Sequence, residues 1–191
     1  MIFNIPNMVT FARILVIPII AVLLAALDCG CYAAQSRLIA IAAGWLFVAA
    51  AVSDLVDGFL ARRWGQVSLF GKFVDPLADK LLHMTVMIFL IPLDRIPVWV
   101  VAVLLFREMY VTGLRSVAVG EGLVIDAGKL GKQKTVWLNV GLGALIFFDP
   151  IWGVDTQAFG MACMGIGLIL AVVSGVQYTM RFVDAVRAKG K

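Results

Sequence analysis

The stretch Ser53–Lys80, SDLVDGFLARRWGQVSLFGKFVDPLADK, holds four aspartates, Asp54, Asp57, Asp75 and Asp79, between two runs apolar enough to cross a bilayer. On insertion scales, four such carboxylates at mid-membrane depth would cost on the order of 10–14 kcal/mol. The cost falls if they stand near a membrane face and point into a shared cavity. On a helix Asp54, Asp57, Gly58 and Ala61 fall at i, i+3, i+4 and i+7, on one face. Gly71, Asp75 and Asp79 recur every fourth residue, again on one face. The intervening ARRWGQVSLF turn is short, so the two helices are expected to be antiparallel neighbours with converging carboxylates.

Converging carboxylates need a counter-charge. Two of them 4 Å apart repel by roughly 4 kcal/mol at an effective dielectric of 20. All-oxygen donors suit hard divalent ions, Mg²⁺ or Mn²⁺, and four carboxylates suffice for two ions per site. A two-metal site with open positions suits transfer of a phosphoryl-type group. Gly58, Ala61 and Gly71 let a bulky substrate approach the backbone, and Arg62 can grip a diphosphate. The glycines alone would mean only helix packing. Beside four aligned aspartates they read as a binding surface.

The rest of the chain fits this placement. It is 62% hydrophobic, against about half for a soluble domain, and its mean hydropathy is +1.00. A bilayer is the natural solvent. The fold expected is an all-α integral membrane domain, residues 1–191, with six transmembrane helices and a short N-terminal interfacial helix within Met1–Met8. The spans are read as Val9–Leu27, Leu38–Leu60, Phe73–Leu93, Pro97–Val119, Thr135–Phe148 (starting nearer Gly128 if it is to be long enough) and Phe159–Val183. With both termini cytosolic, all but Arg37 and Arg95 of the 16 basic residues fall on cytosolic ends and loops, as the positive-inside rule requires. The N-terminus lacks a basic segment ahead of its apolar run, so that run is read as retained. Cys29, Cys31 and Cys163 are too few and too poorly spaced for a disulfide framework or zinc site. The five tryptophans need only membrane-boundary or packing roles.

The pattern D-x-x-D-G-x-x-A-R, eight residues, then G-x-x-x-D-x-x-x-D resembles the signature of the CDP-alcohol phosphotransferases at Asp54, Asp57, Gly58, Ala61, Arg62, Gly71, Asp75 and Asp79. IPNMVTFARILVIP is similar to that family's P-N-x-x-T-x-x-R opening. REMYVTGLRSVAVGEGLVIDAGKLGKQKT resembles the segment of members that make phosphatidylglycerophosphate, except that Leu138 stands where a glutamine usually follows. The resemblance covers nearly the whole chain. It implies transfer of phosphatidyl from CDP-diacylglycerol to sn-glycerol 3-phosphate, with release of CMP. It also implies a homodimer in a bacterial-type inner membrane with cytosol-facing sites, and no nucleic-acid partner.

The resemblance further implies that Asp54, Asp57, Asp75 and Asp79 hold the metals and that Asp79 is the general base. Gly58, Ala61, Arg62 and Gly71 should line the nucleotide, with Asn7, Thr10 and Arg13, three apart along one helix face. A phosphorylated acceptor needs fixed cations, and Arg107, Arg115, Lys132 and Lys134 surround the second cytosolic loop. Glu108 is expected to pair with a nearby arginine, and Lys80 to neutralise carboxylates or face the interface. His83, one turn beyond Asp79, reads as a satisfied polar group ahead of one that tunes the carboxylate. Inositol phosphate, serine or phosphatidylglycerol are alternative acceptors. A small cation transporter is the reading from another class, disfavoured because all four aspartates lie towards one side of the membrane.

Overall fold

A chain in hydrocarbon must satisfy its backbone polar groups internally, and each apolar run here does so as a helix. The computed structural model describes residues 5–30, 33–64, 69–123, 125, 128–147, 153 and 155–189; at 5–9, 33, 54–64, 69–73 and 129 it describes the backbone course alone. Among these residues are six α-helices and no strand: α1 (Ile5–Asp28), α2 (Ser36–Trp64), α3 (Leu69–Leu90), α4 (Val98–Gly120), α5 (Lys129–Ile146) and α6 (Thr156–Lys189). A one-turn 3₁₀ helix, Ala33–Gln35, precedes α2. The protein is an all-helical membrane protein. Thr10–Asp28, Ser36–Ser53 and Thr156–Lys189 are long and apolar enough to cross a bilayer by length and composition. The other three helices carry charge within their length, such as Asp75 and Asp79 on α3, Arg107 and Glu108 on α4, and Lys132 and Lys134 on α5.

The N-terminal segment is joined to the first span. Residues Ile5–Met8 are the first turn of α1, and Pro6 sits where its missing N–H would have no helical partner; Met1–Asn4 lie outside the described residues. The fifth helix begins at Lys129, directly after Gly128, which resolves the shortness of Thr135–Phe148. The sixth starts earlier than its apolar run because the Asp155 carboxylate accepts from the Gln157 and Ala158 N–H groups, capping it. It also outlasts that run. At 1.5 Å per residue its 34 residues span about 51 Å, well beyond a hydrocarbon core of about 30 Å.

Buried Ile20 and Leu24 of α1, Phe47 of α2, Leu82 and Val86 of α3, Leu104 of α4, Leu142 and Leu145 of α5 and Met164 of α6 form one core. The helix pair α5–α6 packs most closely, with small residues at the crossing. A Cβ on Gly160 would lie 2.8 Å from the Leu145 side chain and 3.1 Å from the Gly141 carbonyl oxygen, so only glycine permits this approach. α1 packs along both α2 and α3, which touch each other little among the described residues. The expected α2–α3 neighbours are thus bridged by α1, whose Ile17, Ile20 and Leu24 fill the space.

Short connections make successive helices run up and down. One end of the bundle therefore gathers the start of α1, the end of α2, the start of α3, the end of α4, the start of α5 and the end of α6. At that end α4 closes with Gly122 at φ +70 and Leu123 N–H bonded to the Ala118 carbonyl. Lys189 of α6 donates to both the Glu121 carbonyl and its carboxylate. That hydrogen bond and the ammonium charge hold the exposed Glu121 carboxyl below its usual range. At the opposite end Arg95 and Gln157 exchange two hydrogen bonds, 3.0 and 3.1 Å, tying the α3–α4 turn to the start of α6. Of the tryptophans, Trp45, Trp99 and Trp137 are exposed, and Trp45 meets Phe147 edge to face; the side chains of Trp64 and Trp152 lie outside those described. Cys29 and Cys163 are free thiols; Cys31 lies outside the described residues.

Candidate active site

Asp75 and Asp79 stand one turn apart on α3. The Thr10 hydroxyl on α1, itself buried, donates to Asp75 Oδ1 at 2.5 Å. Thr10 therefore touches a carboxylate of the aspartate row, and Arg13, one turn along α1, is buried with it. Asp54, Asp57, Gly58, Ala61 and Arg62 lie on α2, and Gly71 on α3, all within regular helix, so the one-face spacing read from the sequence holds for their backbone. Their side chains, and that of Asn7 on α1, lie outside those described. Among the described residues no three His, Cys, Asp or Glu side chains are grouped closely enough for a metal ion. The donor set of Asp75 and Asp79 is all oxygen, which suits a hard divalent cation.

Asp79 also faces a cavity of about 250 Å³ enclosed by α3, α4, α5 and α6. Arg107, Arg115, Lys132 and Lys134, the four cations expected for an acceptor phosphate, all line it. Lys80 and Arg181 line it too, so six basic side chains face two acidic ones, Asp79 and Glu108. A polyanion the size of a phosphate ester fits such a surplus.

The cations are not equivalent. The Arg107 guanidinium donates to the Ala171 carbonyl at 2.9 Å, to Ser174 Oγ at 2.7 Å and to Glu108 Oε1 at 3.0 Å. Lys134, buried, donates to the same Glu108 oxygen. Glu108 thus pairs with an arginine as expected, and with a lysine as well. Lys80 donates to Thr112 Oγ1 at 2.7 Å, placing it on the cavity wall against α4. The Arg115 guanidinium lies 5.7 Å above the Tyr178 ring. Lys132 is exposed.

Sequence reading did not single out Arg181 or Tyr178 for this cavity. Ser174, Tyr178 and Arg181 stand at i, i+4 and i+7 on α6, and a polar stripe on an otherwise apolar helix was the available signal.

A second cavity, about 30 Å³, lies between α3, α4 and α5, lined by Asp79, His83, Lys134 and Leu138 among others. Leu138 is buried and reaches to 2.7 Å of the position a Cβ on Gly167 would take, so it is held by packing. Its neighbour Asn139 places its side-chain amide 2.6 Å from His83 Nε2.

Two carboxylates on α3 and a cation-lined cavity meet at Asp79, an arrangement suited to a phosphate-bearing group. The chain belongs to the CDP-alcohol phosphatidyltransferase family, whose sequence profile matches residues 3–173. Members of this family are generally divalent-metal dependent. The chain is 38% identical over 189 residues to the CDP-diacylglycerol–glycerol-3-phosphate 3-phosphatidyltransferase of Bacillus subtilis (strain 168), covering 97% of this chain and 98% of that one. It is 36% identical over 178 residues to a probable phosphatidylglycerophosphate synthase of Mycobacterium tuberculosis (strain ATCC 25618 / H37Rv), covering 93% and 81%. A third relative, the CDP-diacylglycerol–glycerol-3-phosphate 3-phosphatidyltransferase of Treponema pallidum (strain Nichols), is 35% identical over 76% of this chain and 72% of its own.

Proposed function

We propose that this phosphatidyltransferase moves the phosphatidyl group of CDP-diacylglycerol onto sn-glycerol 3-phosphate, giving phosphatidylglycerophosphate and CMP. The observation that carries this reading is the shared wall at Asp79, with a carboxylate row on one side and six basic side chains on the other. The names of relatives that match over most of the chain support the same acceptor.

In this reading the acceptor's phosphate rests among Arg115, Lys132, Lys134 and Arg181, with Arg107 shaping the wall. Its free primary hydroxyl points towards Asp79. The hydroxyl oxygen attacks the phosphorus that bears diacylglycerol, the bond from that phosphorus to the bridging oxygen breaks, and CMP leaves with the electron pair. Asp79 takes the hydroxyl proton, as a general base within reach can. Gly58, Ala61, Arg62 and Gly71, with Asn7 and Arg13, line the nucleotide; Thr10 steadies Asp75. Asp54, Asp57, Asp75 and Asp79 would hold two divalent ions, Mg²⁺ or Mn²⁺. When bound, these ions would supply charge neutralisation for the transferring group and the departing nucleotide.

The six helices all cross the bilayer in this reading, as one domain of residues 1–191. Both termini and the site face the cytosol, and the enzyme works as a homodimer among membrane lipids. The test is CMP release by the detergent-purified protein with CDP-diacylglycerol and Mg²⁺, comparing glycerol 3-phosphate, inositol phosphate, serine and phosphatidylglycerol. Release with glycerol 3-phosphate alone, abolished by chelation and by Asp79→Asn, is the expected result. Release with another acceptor would overturn the acceptor assignment. No release with any acceptor from folded protein would overturn the enzyme reading.

A further inference from the structure

His83 is buried to 8% exposure beside the site, with both ring nitrogens engaged. Its Nδ1 lies 2.7 Å from the Asp79 backbone carbonyl and 3.4 Å from Asp79 Oδ1. Both neighbours are oxygens that only accept when the carboxyl is ionised, so Nδ1 carries the hydrogen. The N–H donates to the backbone carbonyl, and the carboxylate of the same residue lies close beside it in charge–dipole contact. The far nitrogen, Nε2, then keeps its lone pair, and the Asn139 side-chain amide of α5, 2.6 Å away, meets it with its NH2 group as donor. Phe47 of α2 closes the remaining side edge-on, with ring centroids 6.4 Å apart at 89°. The imidazole can therefore neither flip nor swing without losing two contacts.

From this geometry we infer that Asn139 and His83 form a positioning pair that fixes the Asp79 carboxylate for proton abstraction. The pair also links the two functional halves of the site. Asn139 belongs to the helix that carries Lys132 and Lys134; His83 belongs to the helix that carries Asp75 and Asp79. The hydrogen bond between them holds the base at a set distance from the cations that would grip the acceptor phosphate. Catalytic groups need such support, because a displacement of about 1 Å can cost a hundredfold in rate.

The inference rests on the reading of Asp79 as the base, and the experiment separates the two. Full-length protein in detergent is assayed for CMP release with CDP-diacylglycerol, Mg²⁺ and varied glycerol 3-phosphate, and each variant is melted in parallel. An asparagine side-chain nitrogen can stand where Nδ1 stands, and a glutamine nitrogen where Nε2 stands. His83→Ala is expected to lower kcat by about 10- to 50-fold with acceptor KM within about threefold. His83→Asn should recover most of that loss; His83→Gln should not. Asn139→Ala should cost about three- to tenfold in kcat, and nothing further when His83 is already alanine, since the two then act as one unit.

The inference is overturned by His83→Asn no better than His83→Ala, by His83→Gln restoring activity, or by losses that simply follow the melting temperature. If Asp79→Asn is inactive while His83→Ala turns over like the parent, the positioning pair alone is refuted. If Asp79→Asn keeps full activity, the base assignment falls and the pair with it.

Discussion

Lys134→Met tests whether the cation cavity receives the acceptor. Lys134 is buried, at 7% exposure, and donates to Glu108, which also accepts from Arg107. Removing the ammonium has two separable consequences. The first is structural: Glu108 keeps Arg107 but loses its second partner, short of the 3–5 kcal/mol of a fully orphaned buried charge and closer to about 1–3 kcal/mol. The second is functional: a hydrogen bond from a charged donor to phosphate is worth about 1.5–3 kcal/mol. At 1.4 kcal/mol per tenfold, that raises acceptor KM roughly ten- to a hundredfold. Lys134→Met with Glu108→Gln separates the two. The glutamine oxygen still accepts from Arg107 and no carboxylate is left under-paired, so the melting temperature should largely recover. Acceptor KM should stay high, and KM for CDP-diacylglycerol should stay near the parent value in all variants. Thermal melting in detergent and CMP-release kinetics provide both readouts. An unchanged glycerol 3-phosphate KM in folded Lys134→Met would refute the placement of the acceptor phosphate.

Thr10→Val removes the hydroxyl that donates to Asp75; it should cost about 1 kcal/mol of stability and raise the Mg²⁺ concentration for half-maximal activity, read from a metal titration. Gly160→Val forces a side chain towards Leu145 and the Gly141 carbonyl, and should destabilise by about 1–3 kcal/mol in a melt. The Lys189–Glu121 pair is exposed and its carboxyl pKa is lowered in the fold. Whatever it contributes is present above the ordinary glutamate pKa and lost as pH falls through the lowered one. Because the pair is screened by salt and solvent, Glu121→Gln should leave the melting temperature unchanged at pH 7 and physiological ionic strength.

The helices were legible because a bilayer demands long apolar runs. Where sequence and structure differ, the ends are polar. Lys129–Lys134 is polar enough for a cytosolic loop, yet α5 takes the earlier start near Gly128 that its shortness called for, and Lys132 and Lys134 line the cavity. Asp184–Lys189, beyond the span read to Val183, reads as the chain leaving the membrane, but it stays helical and Lys189 is tied to Glu121 at the end of α4. Hydropathy marks where lipid ends, not where helix ends. The cations of the cavity were legible as a cluster because loops explain lysines, but not arginines inside an apolar helix. Their division of labour was not legible. Only the geometry shows Arg107 donating to α6 and Glu108, while Arg115 and Lys132 stand more openly. The same holds for His83. Its position one turn beyond Asp79 is visible in the sequence, but its second anchor, Asn139, is 56 residues away and no local spacing predicts that meeting.

In the proposed mechanism, a metal site and a phosphate site impose opposite demands on one small volume. The first needs a surplus of carboxylate, the second a surplus of ammonium and guanidinium. If mixed, the side chains would neutralise one another. The fold separates them with α3. Asp75 takes its hydrogen bond from α1, while Lys80 reaches across to α4. Asp79 stands between, on the wall of the cation cavity. A base at that boundary gains by its position, because the hydroxyl of a phosphate held by those cations is delivered to it. Moving the carboxylate one turn towards Asp75 would keep the metal donors but lose the cavity. Relocating the base to Asp75 by Asp79→Ala should therefore leave metal binding partly intact and acceptor turnover absent. A substantial kcat in that variant, with folded protein and bound metal, would show that the boundary position is not what the chemistry requires.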